Sequence, residues 1–141
     1  MTGHPGQTAE PADGGVGDAG GSQAPLPVTI HEPVMVREVL ANLAPHAGAV
    51  FLDGTTGTGG HALDLARRLL PGGTLVAIDL DPSALEVAGR RIAEALAPAP
   101  VVIERARRDG PARPSTAGPE GLRLVLVHGN FAEVTALARA S

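Results

Sequence analysis

Residues 49–61 read Ala-Val-Phe-Leu-Asp-Gly-Thr-Thr-Gly-Thr-Gly-Gly-His, and this stretch decides the fold of the chain. An apolar run, Ala49 to Leu52, precedes Asp53 and the glycines, and the amphipathic segment Ala62 to Leu70 follows them. The pattern predicts a strand, a glycine loop and a helix. Glycines let a backbone approach a ligand closely, and the first turn of a helix presents unpaired N–H groups. We therefore predict a loop that cradles a nucleotide.

Composition limits the class of protein. The 141 residues suffice for one domain, but open α/β sheets that bind a ligand usually need more chain, so we expect one incomplete core. Hydrophobic residues make up 43% of the chain and aromatic residues 1%, so Val, Leu, Ile and Ala must build that core. Such a core suits parallel strands covered by helices. The absence of cysteine excludes disulfides and thiolate metal sites, and we predict no metal centre.

Charge and hydropathy indicate the cellular compartment of the protein and the classes of partner to expect. No apolar run approaches the length of a membrane span, and the first residues lack a signal-peptide pattern. We therefore expect a soluble cytoplasmic protein with no membrane partner. The formal charge of -4 argues against a general polyanion binder.

The chain divides into a tail and a folded part. Residues 1–27 are rich in Gly, Pro and Ala and have almost nothing to bury, so we predict a disordered tail. Residues 28–141 form the folded part, whose first helix has Pro33 in its first turn and ends by Pro45.

Strands and helices then alternate. The predicted strands are 49–53, which we expect to be buried, 74–79 and 122–127, and the predicted helices are 60–70, 82–96 and 134–140. Residues 97–121 are rich in Pro and Arg and exceed the usual connection of about 2–6 residues, so we predict an inserted surface loop. This order predicts an α/β fold with a doubly wound parallel sheet that is truncated after its third strand.

The glycine spacing leaves two ligands open. Gly57, Gly59 and Ala62 satisfy the G-x-G-x-x-A pattern of a dinucleotide loop, so an NAD-type half-domain is one alternative. Asp79, at the end of an apolar strand, suits ribose hydroxyls in either case. Asp53, however, would repel a pyrophosphate and would suit a ligand with ammonium and sulfonium groups. S-adenosyl-L-methionine is such a ligand, although Asp53 could instead only order the loop.

Four motifs together resemble a known family. The glycine loop reads D-x-T-x-G-x-G-G-H, and it stands with His-Glu-Pro-Val at 31–34, Ala-Ile-Asp-Leu-Asp-Pro at 77–82 and His-Gly-Asn-Phe at 128–131. In this order they resemble the bacterial MraW-type methyltransferases. The resemblance implies a Rossmann-like fold and S-adenosylmethionine-dependent methylation of the N4 amine of a cytosine in the decoding region of 16S ribosomal RNA, in the small ribosomal subunit.

The resemblance also implies roles for five residues. Gly59, Gly60 and His61 would contact the cofactor, Asp79 would hold the ribose hydroxyls, and Phe131 would pack on the adenine. Members of the family continue well beyond the equivalent of Ser141, so we expect this chain to carry the cofactor half of the site. The catalytic residues and the RNA-binding surface are not identified, and a non-catalytic remnant stays open as an alternative.

Overall fold

The computed structural model describes residues 33–106 and 118–133. The predicted tail at 1–27 and the predicted helix at 134–140 lie outside the described residues. The described elements are, in chain order, α1 (Val36–Leu43), β1 (Val50–Asp53), α2 (Gly60–Leu69), β2 (Thr74–Asp79), α3 (Pro82–Leu96), β3 (Val101–Ala106), β4 (Leu122–His128) and a 3₁₀ helix (Phe131–Glu133).

The four strands form one parallel sheet in the order β1-β2-β4-β3. The register pairs Asp53 with Ala77 and Asp79 with His128. The carboxyl ends of all four strands therefore meet at one edge, where open α/β sheets bind ligands. The predicted α/β class with a parallel sheet is confirmed, and the sheet has one strand more than predicted.

Helices α2 and α3 pack against one face of the sheet, and α1 packs against α2. The chain moves in one direction from β1 to β2 and on to β3, so right-handed crossovers place α2 and α3 on the same side. Leu65, Leu75, Ile92 and Leu124 represent the core that these helices bury. Side chains of the opposite face form a second buried cluster, Val76, Ile78, Ala106, Val125 and Val127.

The prediction of a surface loop over residues 97–121 is wrong for residues 101–106, which form β3. Val101 and Ile103 pack on the core, and bidentate ion pairs join the charged residues to distant partners. Glu104 accepts from Arg123 of β4 at 2.9 and 2.8 Å, and Arg105 donates to Glu86 of α3 at 2.6 and 2.7 Å. Each partner lies 19 residues from its strand residue in the sequence, so no local sequence pattern indicated this strand.

The prediction that the first strand is buried is also wrong. Val50 of β1 is 71% exposed and Leu52 is 39% exposed. In the described part of the chain, β1 pairs with β2 alone and forms an edge of the sheet. Phe51, whose side chain lies on the other face, packs against the core, so β1 is buried on one face only.

Two helix starts show how the sequence sets local structure. Asp81 caps α3, because its carboxylate accepts the Ser83 N–H at 2.8 Å and Pro82 occupies the first turn as predicted. In α1, by contrast, the helix begins at Val36, and Pro33 lies outside its first turn. Pro33 instead packs against Gly60 at the start of α2, as described below.

Candidate functional site

The ends of three strands surround the glycine loop. Asp53 ends β1, Asp79 ends β2, and His128 ends β4. The loop, residues 54–59, leads from Asp53 into α2 and lies beside the end of β2. The sequence predicted this convergence, and the structure confirms that one edge of the sheet carries these residues.

The first half of the loop is attached to β2. The Thr56 N–H donates to the Ile78 carbonyl at 3.1 Å, and the Gly57 N–H donates to Oδ2 of Asp79 at 2.7 Å. Oδ1 of Asp79 accepts the Asp81 N–H at 2.9 Å. Each carboxylate oxygen has a second lone pair, so Asp79 can hold the loop and still accept from a ribose hydroxyl.

The second half of the loop is attached to α3. Nη1 of Arg91 donates to the Thr58 carbonyl at 2.6 Å. Gly59 has a φ of +87°, and a Cβ added there would lie 2.9 Å from Cβ of Ala88. Only glycine combines this left-handed conformation with such a close approach. The contact with α3 thus accounts for Gly59 before any ligand is considered.

The start of α2 is joined to the chain segment before α1. A Cβ added at Gly60 would lie 3.1 Å from the ring of Pro33, so the absence of a side chain lets the segment approach. Nε2 of His61 lies 2.8 Å from the Val34 carbonyl, which can only accept, so the ring nitrogen donates. This contact connects the Gly-Gly-His motif to the Pro-Val part of the His-Glu-Pro-Val motif. Nδ1 is the ring nitrogen of His61 that this contact leaves for a ligand.

Two carboxylates, Asp53 and Asp79, lie at the loop. Asp53 is half-buried, and its Oδ1 accepts the Thr55 N–H at 3.0 Å. Burial raises the pKa of Asp53 above its usual range, and repulsion from the nearby Asp79 carboxylate raises it further. The Thr55 hydrogen bond and the His61 ring act in the opposite direction. Asp53 and Asp79 therefore lie close enough for their charges to interact across the loop.

Two large apolar side chains stand exposed beside these carboxylates. Leu80, which follows β2, is 63% exposed, and Phe131 is 57% exposed. Phe131 lies beside the loop, since a Cβ added at Gly54 would lie 3.3 Å from Cβ of Phe131. Exposed side chains of this size next to a polar site offer apolar surface to a flat ring.

A cavity of about 740 Å³ lies at the carboxyl ends of β3 and β4 beside α3, and no residue of the glycine loop lines it. Its lining includes Leu85 and Glu86 of α3, Arg105 of β3, and Leu80 and Asn130. None of the five residues that the resemblance assigned to the cofactor lines this cavity. The chemistry nevertheless favours the loop as the site, because the loop gathers the carboxylates and the start of α2.

His128 has a structural contact here, although the sequence assigned it no chemistry. Its Nε2 lies 3.0 Å from the Leu80 carbonyl and so joins the end of β4 to the turn after β2. Within residues 33–106 and 118–133, no three His, Asp or Glu side chains are grouped to hold a metal ion. No helix in the described ranges is long and apolar enough to cross a membrane.

Three contacts of the site were missed by the sequence prediction. They are the Gly57 N–H on Asp79, the Val34 carbonyl on His61 and the Arg91 guanidinium on Thr58. The Arg91 contact could have been predicted in part from the helical spacing, because residues 88 and 91 share one face of α3. The contacts of the backbone groups of Gly57 and Val34 left no such signal.

Comparison with known proteins gives a consistent result. The sequence model of the MraW methylase family matches residues 28–106, more than half of the chain. The match includes the glycine loop and β2, and it ends before β4 and Phe131.

Several curated proteins named Ribosomal RNA small subunit methyltransferase H are similar to this chain. The protein of Syntrophotalea carbinolica is 39% identical over 105 residues, which are 74% of this chain and 26% of that protein. The protein of Nitratidesulfovibrio vulgaris is 42% identical over 93 residues, 66% of this chain and 24% of that protein. The protein of Geobacter sulfurreducens is 49% identical over 63 residues, 45% of this chain and 20% of that protein. The chain thus spans about a quarter of the length of the curated relatives that it matches.

Proposed function

Because the chain belongs to the MraW methylase family, we propose that its glycine loop binds S-adenosyl-L-methionine for the methylation of ribosomal RNA. The substrate would be the N4 amine of a cytosine in the decoding region of 16S ribosomal RNA, in the small ribosomal subunit. The relatives named Ribosomal RNA small subunit methyltransferase H support ribosomal RNA as the class of substrate. Such a substrate would place the protein in the cytoplasm.

The observation that carries the proposal is the Asp53 carboxylate, which ends β1 directly before the loop and accepts the Thr55 N–H at 3.0 Å. Asp79 suits ribose hydroxyls with either ligand, so it does not discriminate between them. A pyrophosphate at the start of the loop would be repelled by Asp53, whereas a sulfonium and an ammonium would be attracted by it. The electrostatics therefore favour S-adenosylmethionine over the NAD-type ligand that the glycine spacing also allowed.

The five predicted cofactor residues have consistent places in this proposal. Asp79 would accept from the ribose hydroxyls with the lone pairs that the loop leaves, and Phe131 would pack on the adenine. Gly59 and Gly60 would contact the cofactor through their backbone at the first turn of α2, whose N–H groups suit the methionine carboxylate. Nδ1 of His61 would also contact the cofactor on this side of the loop.

The chemistry then depends on alignment. When bound, S-adenosylmethionine supplies an activated methyl group for in-line transfer. The described residues would hold the donor in one orientation, which is the main requirement of such a displacement. We propose that the residues that accept the proton of the cytosine amine lie outside the described part of the chain.

Isothermal titration calorimetry tests the choice of ligand. We expect S-adenosylhomocysteine to bind the chain and NADH to give no saturable heat under the same conditions. Asp53→Asn should weaken the binding of S-adenosylmethionine, because one attractive charge is removed, more than it weakens that of uncharged adenosine. Binding of NADH without any response to S-adenosylhomocysteine would establish the NAD-type alternative.

Methyl transfer tests the choice of substrate. The protein, including any product of a reading frame that continues past the codon for Ser141, is incubated with methyl-labelled S-adenosylmethionine and unmethylated small ribosomal subunits. We expect the longer product to place label in N4-methylcytidine of 16S ribosomal RNA, and we expect residues 1–141 alone to transfer none. Label in another nucleotide would contradict the proposed substrate.

A further inference from the structure

Arg91 is a charged side chain of α3 that reaches the glycine loop and that no sequence motif assigns. Its Nη1 donates to the Thr58 carbonyl at 2.6 Å across 33 residues of sequence. Both residues are half-buried, so water competes less for this hydrogen bond than at the surface. A guanidinium bonded to a carbonyl makes a charge-assisted contact, which is stronger than a neutral one.

The two halves of the loop depend on different elements. Residues 56 and 57 are held by backbone and carboxylate groups of β2. Residues 58 and 59 pack against α3. There Ala88 limits how far Gly59 can move toward the helix, and Arg91 donates to the Thr58 carbonyl. Because residues 88 and 91 are three apart, they form one contact surface on the helix. Among the described residues, Arg91 is the side chain that donates a hydrogen bond to this second half.

We propose that Arg91 is a positioning residue for the cofactor. Its hydrogen bond fixes the peptide between Thr58 and Gly59, and this peptide leads directly into the first turn of α2. The orientation of that turn sets the direction of the N–H groups that would receive the cofactor. Arg91 thus acts through the loop and does not touch the ligand. This inference rests on the proposed function of the loop.

The neighbouring Arg90 provides a matched control. Arg90 is exposed on the same helix, and in the described part of the chain its side chain donates no hydrogen bond. Arg90→Met and Arg91→Met each remove one positive charge and keep a side chain with high helix propensity. Their difference therefore isolates the contact with Thr58 from the loss of charge. Arg91→Lys keeps a donor and serves as the conservative variant.

The experiment measures the amide resonances of residues 57–60 without ligand and the affinity for S-adenosylhomocysteine of the same samples. We expect Arg91→Met to shift these amides and to weaken binding about tenfold relative to Arg90→Met, as expected for one charge-assisted hydrogen bond. Arg91→Lys should recover part of both effects. Circular dichroism checks that each variant is folded, and Arg91→Gln replaces any Arg91→Met protein that is not.

Three results would overturn the inference. Equal affinities of Arg91→Met and Arg90→Met would show that the contact does not position the cofactor. Weaker binding with unshifted amides at 57–60 would indicate that Arg91 touches the ligand directly. Failure of Arg91→Lys to recover either effect would remove the hydrogen bond as the cause. If the unchanged chain binds no S-adenosylhomocysteine, the proposed function fails instead, and the ligand-free amide shifts still decide whether Arg91 fixes the loop.

Discussion

The glycine loop and strand β3 differ in where the information for their structure lies. In the loop, the sequence itself carries the signal, because the glycines stand within a few residues of the strand-ending carboxylate Asp53. In β3, the charged residues Glu104 and Arg105 look like a solvated segment until their partners in β4 and α3 are known. Local chemistry therefore predicts the loop, whereas only the tertiary structure explains the strand.

The largest expected effect on stability is that of a substitution at Gly59, and it tests whether the contact with α3 constrains the loop. Gly59→Ala should lower the free energy of unfolding by about 3 kcal/mol, since the new Cβ is strained by φ and meets Ala88. Gly48→Ala is the matched control, with a φ of +75° and open space around its Cβ. That control should lose only about 1 kcal/mol. Urea unfolding measures both, and equal losses would show that the contact with α3 is unimportant.

The next effect concerns the ion pairs that hold β3. Glu104→Gln breaks a pair whose side chains are only 11% and 20% exposed, so we expect a loss of about 1–3 kcal/mol in unfolding free energy. Glu86→Gln breaks the pair with Arg105, whose side chains are 47% and 60% exposed. Solvent screens that pair, so this variant should be clearly less destabilised in the same urea titration. A larger loss in Glu86→Gln would mean that α3, and not β4, holds the strand.

A smaller effect is expected at His61, where two sequence motifs meet. His61→Ala removes the donor to the Val34 carbonyl and should cost about 1 kcal/mol in thermal or urea unfolding. His61→Gln keeps an N–H donor and should recover part of this loss. Hydrogen exchange of the Val39 amide, which bonds to Met35 at the start of α1, reports on the same segment. An unchanged exchange rate of the Val39 amide in His61→Ala would show that the His61 contact does not stabilise the segment at the start of α1.

The smallest effect on stability is expected at Asp53, and it depends on pH. Because the fold raises the pKa of Asp53 above 3.8, the ionised carboxylate is disfavoured in the folded state relative to the unfolded state. This contribution destabilises the protein above the raised pKa and disappears as the pH falls below 3.8. Asp53→Asn should therefore be slightly more stable than the unchanged chain at pH 7. Thermal unfolding in a pH series should show this advantage shrinking toward acid, and a constant difference would contradict the account.

The same contrast explains how much of the molecule could be predicted from the sequence. Strand β2 and helix α3 were predicted within a residue or two, because apolar runs and the Asp81-Pro82 cap are local signals. The exposure of Val50 was not predictable, since Val50 lies on the sheet face opposite α2 and α3, and burial on that face depends on the tertiary structure. The strand order and the contact between Asp79 and the Gly57 N–H also required the folded chain.

At the site, residue types were easier to predict than their contacts. The carboxylates and glycines stood out because their chemistry suits a nucleotide ligand. The contributions of Arg91 and of the Val34 carbonyl could not be assigned from single residues, because each depends on a partner about 30 residues away in the chain. The sequence thus predicts where a ligand would bind, and the packing of the folded chain determines which residues hold the loop in place.

A titration followed by amide resonances tests the central claim most directly, that the loop from Asp53 to His61 binds S-adenosylmethionine. S-adenosylhomocysteine is added to the isotope-labelled chain, with NADH added to a second sample. The account predicts saturable shifts at the amides of residues 57–61 and 79 with S-adenosylhomocysteine and none with NADH. Unshifted loop amides at saturating S-adenosylhomocysteine, or shifts with NADH alone, would contradict it.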